Sequence, residues 1–107
     1  MDVNVLIAQI NAGNRFNFAA ISGGRIVRLN DKSVRLPVGN GYAVEIELAG
    51  HDTYTVCRTF TRKRRGELVP TRYVKGERTE VYADQVGNVA YYASCYRSYD
   101  ETEWMHK

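Results

Sequence analysis

Hydrophobic positions keep helical spacing at both ends of the chain and alternate in between. Near the start, Val3, Leu6, Ile7 and Ile10 fall on one helical face, with Asp2 placed to cap it and Gly13-Asn14 to stop it. Near the end, Val86, Val89, Ala93 and Tyr96 form an apolar stripe, with Tyr82 one turn earlier. Ala83, Gly87, Ala90 and Ser94 make a second row of small residues beside it. A smooth strip of this kind lets another backbone approach closely. The segment Tyr82–Tyr99 is therefore predicted to form a helix lying flat on a sheet; it begins between Thr79 and Asp84, and Asp84 is the better cap if Glu80-Val81-Tyr82 is extended.

Between these helices the period drops to two. RFNFAAI (15–21), RIVRL (25–29) and SVRLPV (33–38) are short strand candidates, and Pro37 places the third at an edge or a strand end. YAVEIELA (42–49) is the clearest strand, with Tyr42, Val44, Ile46 and Leu48 on one side and Glu45 and Glu47 on the other. TYTVCRTFTRK (53–63) puts Tyr54, Val56 and Phe60 opposite a threonine-rich side. For the two apolar faces to coincide, Leu48 must oppose Tyr54 and Ile46 must oppose Val56; a one-residue slip would put threonines over the core. The same register places Arg58 on the apolar side near Val44, which calls for an open sheet end or an acidic partner. Arg64-Arg65-Gly66 reads as a hairpin tip with Gly66 at positive φ. A strand over Leu68–Val74 follows, interrupted by Pro70, and Lys75-Gly76-Glu77 reads as another turn. The expected fold is one α+β domain over residues 1–107. It has a short N-terminal helix, an antiparallel sheet of about five or six short strands and a longer C-terminal helix packed on the sheet. The tail 100–107 is either mobile or anchored back on the body by Trp104.

Length and composition fit that reading: 107 residues, 44% hydrophobic and 25% charged, describe an ordered single domain. The net charge of +3 is mild, but its distribution is not. From Arg58 to Arg78 eight basic residues face two acids, a local +6 that leaves −3 for the remainder. No stretch has the roughly 18 continuous apolar residues of a membrane span, and the N-terminus has no basic n-region. The chain is read as cytoplasmic, without membrane contact.

Candidate chemistry is sparse. The basic run Arg62-Lys63-Arg64-Arg65, with Arg72 following, suits phosphate neutralisation with counterion release, and Phe60 and Tyr73 lie close enough in sequence to stack on bases. The competing reading is a solvated turn that protects a sheet edge. Five of the eight tyrosines lie between Tyr82 and Tyr99. Tyr91, Tyr92 and Tyr99 are candidates for a protein-contact surface, whereas Tyr82 and Tyr96 are expected to fill the space between helix and sheet. Cys57 and Cys95 lack CxxC spacing, and neither has a histidine near in sequence. They read as reduced structural thiols, with a Cys57–Cys95 bridge as the alternative. Glu45 and Glu47 read as solvent-facing carboxylates opposite basic residues rather than an acid pair. There is no Walker loop, Rossmann glycine pattern, GxSxG or HExxH, so no cofactor, metal site or catalytic role is expected.

The run YADQVGNVAYYASCYR, from Tyr82 to Arg97, resembles the C-terminal stretch of small accessory proteins of bacteriophages that infect actinobacteria. The resemblance covers the last third of the chain. It implies a non-enzymatic protein that binds a host or phage protein in the cytoplasm of the host cell, and it carries no residue roles. The helix–strands–helix order is shared with double-stranded RNA-binding domains, but where those carry lysines this chain has Thr79, Glu80 and Asp84, so that analogy is not adopted. The expectation is thus a protein-binding accessory protein. The alternative is nucleic-acid or other polyanion binding through the hairpin 62–66. The small-residue helix face also leaves a homo-oligomer open.

Overall fold

The computed structural model describes residues 2–12 and 18–106. Helices α1 (Val3–Asn11) and α2 (Phe18–Ser22) precede five strands: β1 (Val27–Asn30), β2 (Ser33–Gly39), β3 (Tyr42–Leu48), β4 (Tyr54–Arg62) and β5 (Thr71–Val81). Helix α3 (Val86–Ser94) and a 3-10 turn (Trp104–His106) close the chain. The sheet is a meander in the order β1-β2-β3-β4-β5, every neighbouring pair antiparallel. The architecture is α+β, as the periodicity predicts.

Register follows the apolar pattern. Leu48 opposes Tyr54, Ile46 opposes Val56 and Val44 opposes Arg58. On the neighbouring strand Val34 opposes Ile46 and Leu36 opposes Val44. Val34, Leu36, Val44, Ile46 and Val56 are fully buried beneath the helices, each such side chain contributing roughly 1.5–3 kcal/mol. In α1, Asp2 caps the first turn by accepting from the amides of Asn4 and Val5, and Leu6 and Ile10 enter the core. Both rows of α3 are buried, the stripe through Val86, Val89 and Ala93 and the small-residue row through Gly87, Ala90 and Ser94. The helix rests on β3 and β4 and also meets α1 and α2.

Several local expectations give way. The strand expected over 15–21 is helical from Phe18 onward, ending where Gly23 and Gly24 turn at positive φ; its residues 15–17, and the stop at Gly13-Asn14, lie outside the described residues. Pro37 sits in β2, an inner strand, yet needs no ladder hydrogen bond on its outer side. Strand β1 pairs only with Ser33–Arg35 and stops short of it. Lys75-Gly76-Glu77 is not a turn but a bulge inside β5, and the strand begins at Thr71, after Pro70. Two bulges give β5 11 residues against 9 in β4, the second falling near Glu80, whose φ is +55°. Helix α3 is shorter than Tyr82–Tyr99, and Gln85, not Asp84, stands at its N-cap, without a side-chain cap. Tyr82 is exposed rather than packed between helix and sheet.

The tail is anchored. Trp104 is fully buried, and its indole N–H donates to the carbonyl of Lys75, 3.1 Å away, at the bulge. Arg58 is buried too, so the sheet end is not open there, and its hydrogen bonds go to main-chain carbonyls rather than to an acid. Its Nε donates to the Ala93 carbonyl at 2.7 Å and its Nη2 to the carbonyls of Tyr99 at 2.8 Å and Tyr92 at 3.4 Å. The guanidinium caps the Ala93 carbonyl at the end of α3, joins the Cys95 amide on the Tyr92 carbonyl, and places positive charge at the negative end of the helix.

Candidate nucleic-acid interface

The β4–β5 hairpin outruns its sheet. The last β3–β4 pair is Tyr42–Phe60, closed by the Thr61 amide on the Gly41 carbonyl at 2.8 Å. Beyond it only β4 and β5 pair, through Thr61–Arg72 and Arg62–Thr71. The tip is a tight turn in which the Glu67 amide donates to the Arg64 carbonyl at 3.0 Å and Gly66 has φ +89°. The Glu67 carboxylate folds back into this turn, accepting from the Arg64 amide and the Thr71 hydroxyl. Arg62, Lys63, Arg64 and Arg65 are all exposed, and none forms an ion pair among the described residues. The tip therefore presents four cations around a carboxylate occupied with the turn.

Arg72 belongs to a different arrangement. Its guanidinium makes a bidentate pair with Glu45, Nε to Oε2 at 3.1 Å and Nη2 to Oε1 at 2.9 Å, and Arg35 adds a third contact at 3.2 Å. Burial pulls the Glu45 carboxyl upward, but the hydrogen bonds and charges of Arg72, then Arg35, outweigh it and hold its pKa below the ordinary value. Glu45 thus faces basic residues across the sheet, as expected. Arg72 is bound up in holding the helix-free face together.

The aromatic rings near the hairpin are committed to one another. Tyr73 stacks beside Phe60 at 6.4 Å between centroids, Phe60 tilts against Tyr42 at 4.9 Å, and Tyr42 stacks on Tyr96 at 4.0 Å and 6°. Asn40 donates to the Tyr96 hydroxyl at 2.8 Å, and the Arg97 guanidinium lies over the Tyr96 ring. Phe60 is half-buried within this ladder and Tyr73 is the exposed member. Tyr91, Tyr92 and Tyr99 form a second chain of edge-to-face contacts, 5.8 Å and 5.4 Å between successive rings. All three are half-buried against the core.

Leu68 and Val69, between the cationic run and Pro70, are the residues that the sequence reading passed over; both stand exposed beside it. The signal was present as an apolar pair inside a turn, but it reads from sequence as part of a strand. Elsewhere, a cavity of about 420 Å³ is lined by Tyr42, Arg58, Lys75, Tyr96, Asp100 and Glu101. Its two cations are matched by two carboxylates, with Lys75 paired to Glu101 at 3.5 Å, so it shows no preference for an anion.

Cys57 is held as a neutral thiol. Both cysteines are free. Cys57 donates to Glu77 Oε2 at 3.3 Å, and burial, then the Glu77 carboxylate, push its thiol up to about 12. Among the described residues no cluster of histidine, cysteine and acidic side chains could hold a metal ion, and no helix is long and apolar enough to cross a membrane. No family model, no curated protein and no solved structure matches the chain.

Proposed function

We propose that the protein is a non-enzymatic nucleic-acid-binding module that grips the phosphate backbone with its β4–β5 hairpin. The observation that carries this reading is the placement of Arg62, Lys63, Arg64 and Arg65. All four are exposed without ion-pair partners among the described residues, at the end of a ribbon that reaches past the sheet. Four cations at one end of a small domain raise the local potential for a polyanion, and each phosphate neutralised releases counterions. If the resemblance to phage accessory proteins holds, this binding takes place in the cytoplasm of an infected cell.

The test is fluorescence anisotropy with a labelled duplex and a labelled single strand across a salt series. Four phosphate contacts on duplex DNA give a slope of log K against log salt of about −3.6, or roughly a 100-fold loss between 50 and 200 mM salt. The pair Arg64→Glu plus Arg65→Glu should remove most of the binding while leaving the melting temperature unchanged. Failure of the wild type to bind either probe at 50 mM salt overturns the proposal.

A protein partner on Tyr91, Tyr92 and Tyr99 is the second reading, supported by the part of this ring chain left uncovered. Capture from a host lysate with wild type and with Tyr92→Ala plus Tyr99→Ala tests it. Identical partner sets would remove it.

A further inference from the structure

We infer that the hairpin tip binds duplex DNA from the minor groove, with Leu68 and Val69 entering as an apolar wedge between base steps. This rests on the backbone-gripping reading above and adds the kind of nucleic acid and the manner of contact. Leu68 is 93% and Val69 74% exposed, against 58% for Tyr82, the next most exposed large hydrophobic among the described residues. Scattered exposed apolar residues need no explanation, but these two are adjacent, almost fully solvated, and within four residues of Arg65.

The loop that presents them has contacts of its own. Glu67 pins the turn through the Arg64 amide and the Thr71 hydroxyl, and the Arg62–Thr71 pair closes its base. Leu68 and Val69 lie in a bend that leads to Pro70, which fixes its own φ and disfavours the helical region for Val69. The occupant of this tip must therefore offer anionic groups to the cations and an apolar slot one or two residues away. A DNA minor groove does both: phosphates line its edges, and a partly unstacked base step accepts an aliphatic side chain.

Two alternatives fit less well. A single strand would be held by stacking on aromatic rings, and here Phe60, Tyr42 and Tyr96 give their faces to one another. A bilayer interface favours tryptophan and tyrosine at the contact, and residues 62–71 contain neither.

The experiment uses the full chain with a 25-base-pair duplex labelled at both ends for energy transfer, with a central TA step. The wild type should shorten the end-to-end distance, and netropsin, which fills the minor groove, should compete. Leu68→Ser plus Val69→Ser should lose the bend and weaken binding, while the slope of log K against log salt, which the cations set, stays as in the wild type. Binding without bending by the wild type, or bending unchanged in the serine variant, overturns the wedge and leaves the backbone reading standing. Absence of binding to any nucleic acid overturns both. Binding to vesicles containing phosphatidylserine without bending of DNA would assign the tip to a membrane surface and likewise overturn the wedge.

Discussion

A Cβ built on Gly76 would lie 2.7 Å from the indole Nε1 of Trp104 and 3.0 Å from two of its ring carbons. The bulge at Gly76 and the ring of Trp104 therefore occupy one space, which a side chain at position 76 would contest. The backbone there also has φ +109°, which only glycine adopts without strain. Together these tie the C-terminal tail to an edge strand.

Gly76→Ala should thus destabilise the fold by about 3 kcal/mol, from overpacking and the positive φ together. Trp104→Ala should cost about 4 kcal/mol through the cavity it leaves. In the double variant the steric part of the Gly76→Ala effect disappears, so the two effects should sum to more than the observed loss by about 1–2 kcal/mol. Urea unfolding measures all three, and a strictly additive pair would refute the shared-space account. Trp104 is the sole tryptophan, so in Gly76→Ala its emission should also shift to the red if the ring is displaced.

Arg58 offers a second test. Its guanidinium holds three carbonyls at the end of α3 and the start of the tail, and it lies 5.6 Å from the Trp104 ring. Arg58→Met keeps the aliphatic volume but takes the guanidinium donors from the Ala93 and Tyr99 carbonyls, while the Tyr92 carbonyl keeps the Cys95 amide. A loss of about 3 kcal/mol is expected, since charged hydrogen bonds in a buried site are involved. Arg58→Lys should restore only part of it, because an ammonium lacks the planar fork. The loss should change little between 0.1 and 1 M salt, as buried groups are poorly screened. A deficit that vanishes at high salt would show that surface attraction, not carbonyl capping, carries the effect.

The side of the sheet on which Arg58 lies was legible in the sequence, because only one register of β3 on β4 buries Ile46, Leu48, Tyr54 and Val56 together. What Arg58 meets there was not. Its acceptors are main-chain carbonyls about 35 residues away or more, and backbone groups leave no trace in side-chain pattern. The same gap explains Gly76. A glycine between Lys75 and Glu77 has the sequence appearance of a turn, and only the docking of Trp104 makes it a bulge. Helix α3 was overextended because small and aromatic residues keep helical spacing through Tyr99, whereas tertiary capping by Arg58 ends the helix at Ser94. Of the candidate site, the exposed tip was readable from charge and Gly66. The commitment of Arg72 to Glu45, and of Phe60 to Tyr42 and Tyr73, required the strand order.

Glu45 should give the fold an acid-sensitive increment. Its folded pKa lies below its ordinary value of 4.5, because Arg72 and Arg35 favour the carboxylate more than burial disfavours it. A group depressed on folding contributes fully above its unfolded pKa and loses that contribution as pH falls through the folded one. Stability from this site should therefore be complete at neutral pH and decline as pH drops below about 4.5. Glu45→Gln should cost about 1 kcal/mol at pH 7, and the gap to wild type should narrow progressively as pH falls below the ordinary carboxyl range. Urea midpoints at pH 7, 5, 4 and 3 would check this; a gap that widens on acidification would contradict the charge assignment.

Cys57 should be the inert thiol. With its pKa near 12, pushed up by burial and by the Glu77 carboxylate that accepts its proton at 3.3 Å, only about one molecule in ten thousand carries the thiolate at pH 8. Alkylation by iodoacetamide needs the thiolate, so Cys57 in the folded protein should react about a thousandfold more slowly than an unperturbed thiol and become reactive on unfolding. Glu77→Gln removes both the acceptor charge and the repulsion of the thiolate, and should speed alkylation of the folded protein at least several-fold. Peptide mass spectrometry after timed quenching resolves Cys57 from Cys95. Modification of Cys57 at the rate of a free thiol, with the protein still folded, would show that neither burial nor Glu77 governs it and would reopen a nucleophilic role for this residue.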